Sequence, residues 1–205
     1  MSTITFPLLN IARHRMGTDG AGITTLVASA GCPLRCEFCI NKKLLKEASP
    51  KDITPEELYS MVRQDALYFL ATGGGITFGG GEPLLYADFI REFRAICPPA
   101  WKITAETSLF VPRNYLAAVT DAVDLFVVDC KDMNSATYSK YTGGELSVMK
   151  ENLEFLLQRI GAERIIVRVP LIPGYNTAGD QKKSADALLQ MGIRNTDLFE
   201  YVIRE

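Results

Sequence analysis

Three thiols crowd into eight residues: Cys32, Cys36 and Cys39, in the run Gly31-Cys32-Pro33-Leu34-Arg35-Cys36-Glu37-Phe38-Cys39. The spacing C-x3-C-x2-C lets sulfur wrap one corner of an iron–sulfur cubane without a long excursion of the chain. A [4Fe–4S] cluster that only carries electrons normally takes four cysteines. Three leave one iron open to a substrate, which a chemically active cluster requires. The competing use is a zinc site with its fourth ligand drawn from Cys97, Cys130 or His14. Structural zinc sites usually pair their ligands in two short hooks, and there is no second hook. Five cysteines are an odd number, and a disulfide framework fits poorly in a chain of this size without export signals.

Other candidate groups lie at the ends of apolar runs. Gly73-Gly74-Gly75-Ile76-Thr77-Phe78-Gly79-Gly80-Gly81-Glu82-Pro83 sets a strand between two glycine clusters. No Gly-Lys-Ser/Thr follows, so it is not a phosphate loop. Glycines at a strand end allow close approach of backbone to a ligand, although alone they also make a tight turn. In Val123–Lys131, a period of two puts Asp129 and Lys131 on the face of Val127, with Val128 and Cys130 on the other. That pair is either an active-site feature or a structural ion pair. Arg168, between Val167 and Val169, points inward and needs an anion, because an unpaired buried charge is costly. Glu106 or a substrate carboxylate can serve. Arg13-His14-Arg15 reads as a solvated turn.

The elements that must position these groups alternate. Strands are predicted at 24–29, 76–79, 101–106, 123–129, 164–171 and 198–203. Thr54-Pro55-Glu56-Glu57 is a capping box with proline at the first helical position. Behind it Leu58, Val62, Ala66, Phe69 and Leu70 follow helical spacing. Further helices are predicted at 86–97, 113–121, 148–160 and 181–191. Six strand–helix units imply a parallel sheet with right-handed crossovers. A closed barrel needs eight units and ~250 residues, so 205 residues favour an open α/β fold, a six-stranded parallel (β/α)6 partial TIM barrel. A flat doubly wound sheet has the same periodicity. In a barrel the cysteine loop, directly after the first strand, lies at the catalytic face. The last predicted strand is an exposed edge for a partner or subunit.

A chain of 205 residues fits one domain, 1–205. With 22 basic and 24 acidic residues the net charge is −2, which gives no field for nucleic acid. No apolar run approaches the ~20 residues of a membrane span. The N-terminus lacks the regions of a signal peptide, so a cytoplasmic location is expected.

Taken together, GCPLRCEFC resembles the cluster loop of the radical S-adenosylmethionine (SAM) superfamily. The resemblance implies a [4Fe–4S] cluster on Cys32, Cys36 and Cys39 whose open iron chelates the amino and carboxylate groups of SAM. It further implies that Phe38 packs on the adenine and that Gly80-Gly81-Glu82 holds the methionyl amino group. Within that superfamily the chain resembles activating enzymes of glycyl radical enzymes, the pyruvate formate-lyase activase group, from Asp19 to about Tyr175. Asp19-Gly20-Ala21-Gly22 resembles their DGPG loop, and Phe38-Cys39-Ile40-Asn41 their aromatic-Cys-His-Asn. Glu106-Thr107 and Asp129-Cys130-Lys131 resemble Asp-Thr and Asp-Leu-Lys, and Pro173-Gly174-Tyr175-Asn176 continues the pattern. The resemblance implies a monovalent cation lined by Glu106, Thr107 and Asp129, with Lys131 and Arg168 near the SAM carboxylate. It assigns catalytic parts to Asp19, Lys131 and Arg168, and a cofactor-binding part to Asn41.

The implied activity is reductive cleavage of SAM, with the resulting radical abstracting hydrogen from a glycine of a partner enzyme. Electrons would come from a flavodoxin- or ferredoxin-type reductant. Asp19 would lie where activases grip the partner's glycine loop. The sequence departs from the family at Ala21, Thr24, Ile40 and Glu106. Phe199-Glu200-Tyr201-Val202 replaces its Leu-Pro-Tyr-His, so the histidine that contacts SAM has no counterpart. Two rival readings are a small-molecule enzyme such as a carboxy-deazaguanine synthase and a non-catalytic module that senses through its cluster.

Overall fold

The computed structural model describes residues 4–201. Its strands are β1 (Phe6–Met16), β2 (Ile23–Ser29), β3 (Lys51–Ile53), β4 (Gly75–Gly80), β5 (Lys102–Thr107), β6 (Leu125–Asp129), β7 (Ile165–Leu171) and β8 (Thr196–Glu200). Its helices are α1 (Lys42–Glu47), α2 (Pro55–Val62), α3 (Ala66–Thr72), α4 (Ala87–Ile96), α5 (Arg113–Val119), α6 (Ser135–Thr142), α7 (Leu146–Ile160) and α8 (Ala178–Gln190). The strands form one sheet in the order β3-β1-β2-β4-β5-β6-β7-β8. From β2 to β8 every pairing is parallel, whereas β1 pairs antiparallel with both β2 and β3. The predicted six strands are thus part of an eight-stranded sheet. Of the last predicted strand, residues 202–203 lie outside the described residues.

Local chemistry explains what was missed. β1 carries Pro7, Asn10 and three basic residues, so it shows no period-two pattern. Its register with β2 shifts between Leu8 and Asn10 and again between Ala12 and Arg15. His14 sits at the second irregularity with φ of 55°, the local kink expected of a bulge. Arg13-His14-Arg15 is therefore a bulged strand and not a solvated turn. Arg13 reaches Asp65 and donates to the Met61 carbonyl at 2.8 Å, while Thr25 Oγ1 donates to Asp65 at 2.8 Å. That buried carboxylate sits where the predicted long helix breaks, in a single 3₁₀ turn (Arg63–Asp65) between α2 and α3. The capping box forms as the sequence predicts: the Thr54 and Glu57 side chains accept from each other's backbone N–H.

The parallel register sorts side chains by face. Phe78, Ala105 and Phe126 lie side by side on neighbouring strands, as do Val128 and Val167. All are buried with Phe89, Phe93, Leu116, Leu153 and Leu188 from the helices in one core. The opposite face carries Thr77, Thr104, Glu106, Asp129 and Arg168, where Thr77 pairs with Thr104 and Asp129 with Arg168. An apolar layer holds the fold and a polar layer is left for chemistry. Among the described residues no helix is long and apolar enough to cross a membrane.

Candidate active site

The cysteine loop leaves the C-terminal end of β2 and is held from three directions. The last turn of α6 supplies carbonyls: Arg35 N–H donates to Thr142 at 2.8 Å and Glu37 N–H to Tyr141 at 3.1 Å. The segment after β4 runs alongside, with Gly81 N–H donating to Ser29 at 3.0 Å and Glu82 N–H to Gly31 at 2.8 Å. A Cβ on Gly81 would stand 2.0 Å from the Gly31 carbonyl oxygen, so this approach demands glycine. Asn41 Nδ2 donates to the Gly80 carbonyl at 2.8 Å. From beyond β8, the Tyr201 hydroxyl donates to the Phe38 carbonyl at 2.6 Å. The Phe38 ring is half-buried and meets Tyr175 and Tyr141 edge-on, with centroids 5.8 and 6.1 Å away.

Beside this loop, charges alternate across the polar face. Lys131 Nζ lies 3.0 Å from Asp129 Oδ2; Arg168 Nε donates to Asp129 Oδ1 at 2.9 Å and its Nη1 to Glu106 Oε1 at 3.0 Å. Burial opposes every one of these charges. Desolvation works to raise the Asp129 pKa, yet Lys131 and Arg168 together hold it below the usual carboxylate range. Burial wins at Glu106, pushing it up to about 7 against the pull of Arg168. For Lys131, burial favours the neutral amine, but Asp129 and Cys36 raise its pKa above the ordinary range.

Asp19 joins the same cluster from the loop between β1 and β2. Its carboxylate is fully buried and paired with Arg15 through both oxygens, one contact at 2.7 Å. Its carbonyl accepts from Thr77 Oγ1 at 2.9 Å. Gly20, with φ of 122°, lays this loop on the sheet, where a Cβ would meet Thr104 Oγ1 at 2.9 Å. Three acids (Asp19, Glu106, Asp129) thus stand among three cations (Arg15, Lys131, Arg168). Glu82 lies apart, its carboxylate accepting from Thr107 Oγ1 at 2.7 Å, Ser108 N–H at 2.9 Å, Ser108 Oγ at 2.6 Å and Leu84 N–H at 3.3 Å. Thr107 is therefore committed to Glu82, and Glu82 braces two loops.

The three loop cysteines are free thiols, Cys32 exposed and Cys36 and Cys39 half-buried. Cys97 and Cys130 are buried in the core, and His14 lies 3.5 Å from Asp65 with its ring against Tyr68. The fourth ligands of a zinc site are thus engaged elsewhere. Among the described residues no three His, Cys, Asp or Glu side chains converge as a single ion requires. A cubane makes no such demand, since each thiolate takes its own iron. Desolvation raises the half-buried Cys36 thiol despite Lys131. Metal loading must therefore displace thiol protons. The donor set fits a three-cysteine [4Fe–4S] cluster.

Residues 26–179 match the family described as the Radical SAM superfamily. The chain belongs to the radical SAM superfamily. It is 31% identical over 185 residues to the pyruvate formate-lyase-activating enzyme of Clostridium pasteurianum, covering 89% of this chain and 75% of that one. It is 27% identical over 227 residues to the pyruvate formate-lyase 2-activating enzyme of Escherichia coli K12, covering 95% and 76%. The choline trimethylamine-lyase activating enzyme of Oleidesulfovibrio alaskensis is also 27% identical, over 84% of this chain and 74% of its own. Among solved structures, Streptococcus suis SuiB bound to S-adenosylmethionine superimposes with a TM-score of 0.65 at 14% identity, over 83% of this chain and 38% of that one. The mostly parallel α/β sheet is the radical SAM fold.

Radical SAM membership implies the [4Fe–4S] cluster and SAM as cofactors. The structure brings Asp19, Glu106, Asp129, Lys131 and Arg168 together, and places Phe38, Asn41, Gly80 and Gly81 along the cysteine loop. Sequence reasoning missed Arg15 and Tyr201. Arg15 is four residues from Asp19, but it lies on a strand, where that spacing carries no signal. Tyr201 meets Phe38 across 163 positions, and only the fold relates them.

Proposed function

We propose that this chain, acting over 1–205 as one radical SAM domain, generates a glycyl radical on a partner enzyme of the pyruvate formate-lyase type. The observation that carries the reading is a three-thiol loop clamped beside the ladder Lys131–Asp129–Arg168–Glu106 on the polar face of a parallel sheet. With the cluster bound by Cys32, Cys36 and Cys39, an electron from a flavodoxin- or ferredoxin-type reductant would cleave SAM and release a 5′-deoxyadenosyl radical to take hydrogen from the partner's glycine.

The chain's residues bind and orient. Lys131 and Arg168 hold the SAM carboxylate through charge-assisted hydrogen bonds. Asp129 keeps both cations aligned, and Phe38 packs against adenine. The Gly80–Gly81 backbone faces the methionyl amino group; Glu82, its oxygens all engaged, fixes that backbone and Asn41 straps it to the loop. Asp19, neutralised by Arg15, shapes the floor on which the partner's glycine segment rests. A monovalent cation beside Glu106, Thr107 and Asp129 would enter a cluster whose carboxylates already pair with Arg15, Lys131 and Arg168 and whose threonine donates to Glu82. SAM affinity in potassium chloride against choline chloride tests it. Curling of the six parallel strands into a partial barrel leaves a lateral opening for a polypeptide. The cytoplasm suits such chemistry.

The test is direct. Anaerobically reconstituted protein, given reductant, SAM and a glycyl radical enzyme from the same organism, is expected to give a stable glycyl radical by electron paramagnetic resonance. SAM cleavage without that radical, coupled to consumption of a small metabolite, would replace the reading with the carboxy-deazaguanine synthase type.

A further inference from the structure

Around the last two loop cysteines the chain is basic. Between Arg35 and Lys46 the sequence holds four cations (Arg35, Lys42, Lys43 and Lys46) against one acid, Glu37, in a protein whose net charge is −2. All four cations are exposed, and among the described residues none of them pairs with a carboxylate. On α1, Lys46 lies one turn from both Lys42 and Lys43, and like charges at these spacings destabilise a helix. Nothing inside the chain offsets that, since α1 buries none of its residues. Natural sequences break such local rules mainly at functional sites.

Two turns tie this basic face to the cysteine loop. Cys39 N–H donates to the Cys36 carbonyl at 3.3 Å, and Lys42 N–H to the Cys39 carbonyl at 3.1 Å. The second turn carries Ile40, which is 71% exposed. Lys42 reaches back, its Nζ 3.5 Å from the Glu37 carbonyl, so its ammonium lies over the loop between Cys36 and Cys39. On the other flank Arg35 runs past Gly143 at the end of α6, where a Cβ would stand 3.9 Å from its Nε. Cys32, in the same loop, is exposed. The loop thus turns an apolar residue and one sulfur to solvent within a rim of cations, and protein interfaces share that form of apolar centre and polar rim.

The charge calls for an acidic partner, and the cluster gives the partner its chemistry. A [4Fe–4S] centre on these cysteines takes one electron from outside for each SAM it cleaves, and Cys32 brings one of its ligands to this surface. We infer that Arg35, Lys42, Lys43 and Lys46, around Ile40, form the docking face of an acidic one-electron carrier protein that reduces the cluster. One electron leaves the carrier and enters the cluster; no proton or group moves. The inference rests on the reading above for the cluster's need of an electron, and adds where the donor sits. Rim charges of this kind act on the rate of association and its salt dependence.

The experiment is stopped-flow reduction of the reconstituted, oxidised cluster by photoreduced flavodoxin, an acidic flavin protein. Photoreduced 5-deazariboflavin, a small uncharged reductant, is the reference. Wild type is compared with Lys42→Glu/Lys43→Glu/Lys46→Glu after iron and sulfide have been measured. The triple variant is expected to take electrons from flavodoxin about tenfold more slowly at low salt, and from deazariboflavin at the wild-type rate. Raising salt to about 0.3 M is expected to slow the flavodoxin reaction of wild type and not that of the variant. Should the triple variant fail to hold iron, Lys43→Gln and the salt dependence of wild type decide. Equal flavodoxin rates in the two chains overturn the inference. Slowing with both reductants overturns it as well, because the lysines would then act on the cluster itself. A variant that flavodoxin reduces normally, yet that yields less glycyl radical with deazariboflavin, assigns the face to the partner enzyme and also overturns it. Electrons accepted through this face with no glycyl radical on the partner overturn the activase reading alone.

Discussion

At the residue scale, the thiols divide into two sets by environment. Cys32→Ala, Cys36→Ala and Cys39→Ala are each expected to abolish the cluster absorbance, while Cys97→Ala and Cys130→Ala keep it and lose only packing, about 1 kcal/mol or more each. Iron content and urea unfolding separate the two effects. Cluster assembly carries a proton cost: with the half-buried Cys36 thiol raised by burial, loading at pH 6 should be slower than at pH 8. Lys131→Ala is expected to weaken SAM binding about tenfold or more, the order of one lost charge-assisted hydrogen bond, with the cluster spectrum unchanged. Equilibrium binding of SAM by the reduced holoprotein checks this. Glu106 supplies a pH signature. Its folded pKa of about 7 lies above the ordinary carboxylate value of 4.5, so the folded state holds the proton more tightly. Its contribution to stability is present below pH 4.5 and lost as pH rises through 7. Melting of the cluster-free protein from pH 4.5 to 8 should fall more steeply for wild type than for Glu106→Gln. Much of this site was legible in the sequence, because cysteine spacing and period two are local rules. Period two put Asp129 beside Lys131 and turned Arg168 inward toward Glu106 or a substrate carboxylate, and the structure supplies Glu106. Arg15 was not legible, since it reaches Asp19 across the loop that follows β1, and a spacing of four carries no signal on a strand.

At the scale of elements, α6 matters more than its length suggests. Asn134 caps it, accepting from Ala136 N–H at 3.0 Å and Thr137 N–H at 3.1 Å. Its far end spends two carbonyls on the cysteine loop. The sequence reading passed over it: Ser135–Thr142 is polar and eight residues long, with only weak apolar periodicity. The parallel strands were legible as short β-branched runs set between helical patterns, the alternation that parallel α/β folds require. β1 and β3 were not. β3 is three residues long, and β1 is defined by its partners. The contact of Gly81 with Gly31 gives a test at this scale. Gly81→Ala must move backbone, with an overpacking cost of about 1–3 kcal/mol, and should displace the cysteine loop. Lower iron occupancy together with a lower melting midpoint is expected.

At the scale of the molecule, Asp65 joins the N-terminal strand to the helical layer. It is 2% exposed and serves Arg13 and Thr25, on β1 and β2. Asp65→Ala strands a partly exposed arginine. The expected loss is about 2–3 kcal/mol, between the ~1 kcal/mol of a surface pair and the larger cost of breaking a buried one. It should appear in urea unfolding, while the SAM affinity of the folded holoprotein changes little. The clamp on the cysteine loop also has a consequence in time. Phe38 and Tyr201 are 163 positions apart. At ~5–20 residues per second of synthesis, the loop is made roughly 8–30 s before the hydroxyl that pins it. During that interval a nascent chain carries three unguarded thiols. The pace of the ribosome therefore sets how long the loop stays unpinned, with its thiols free to meet stray oxidants in any geometry.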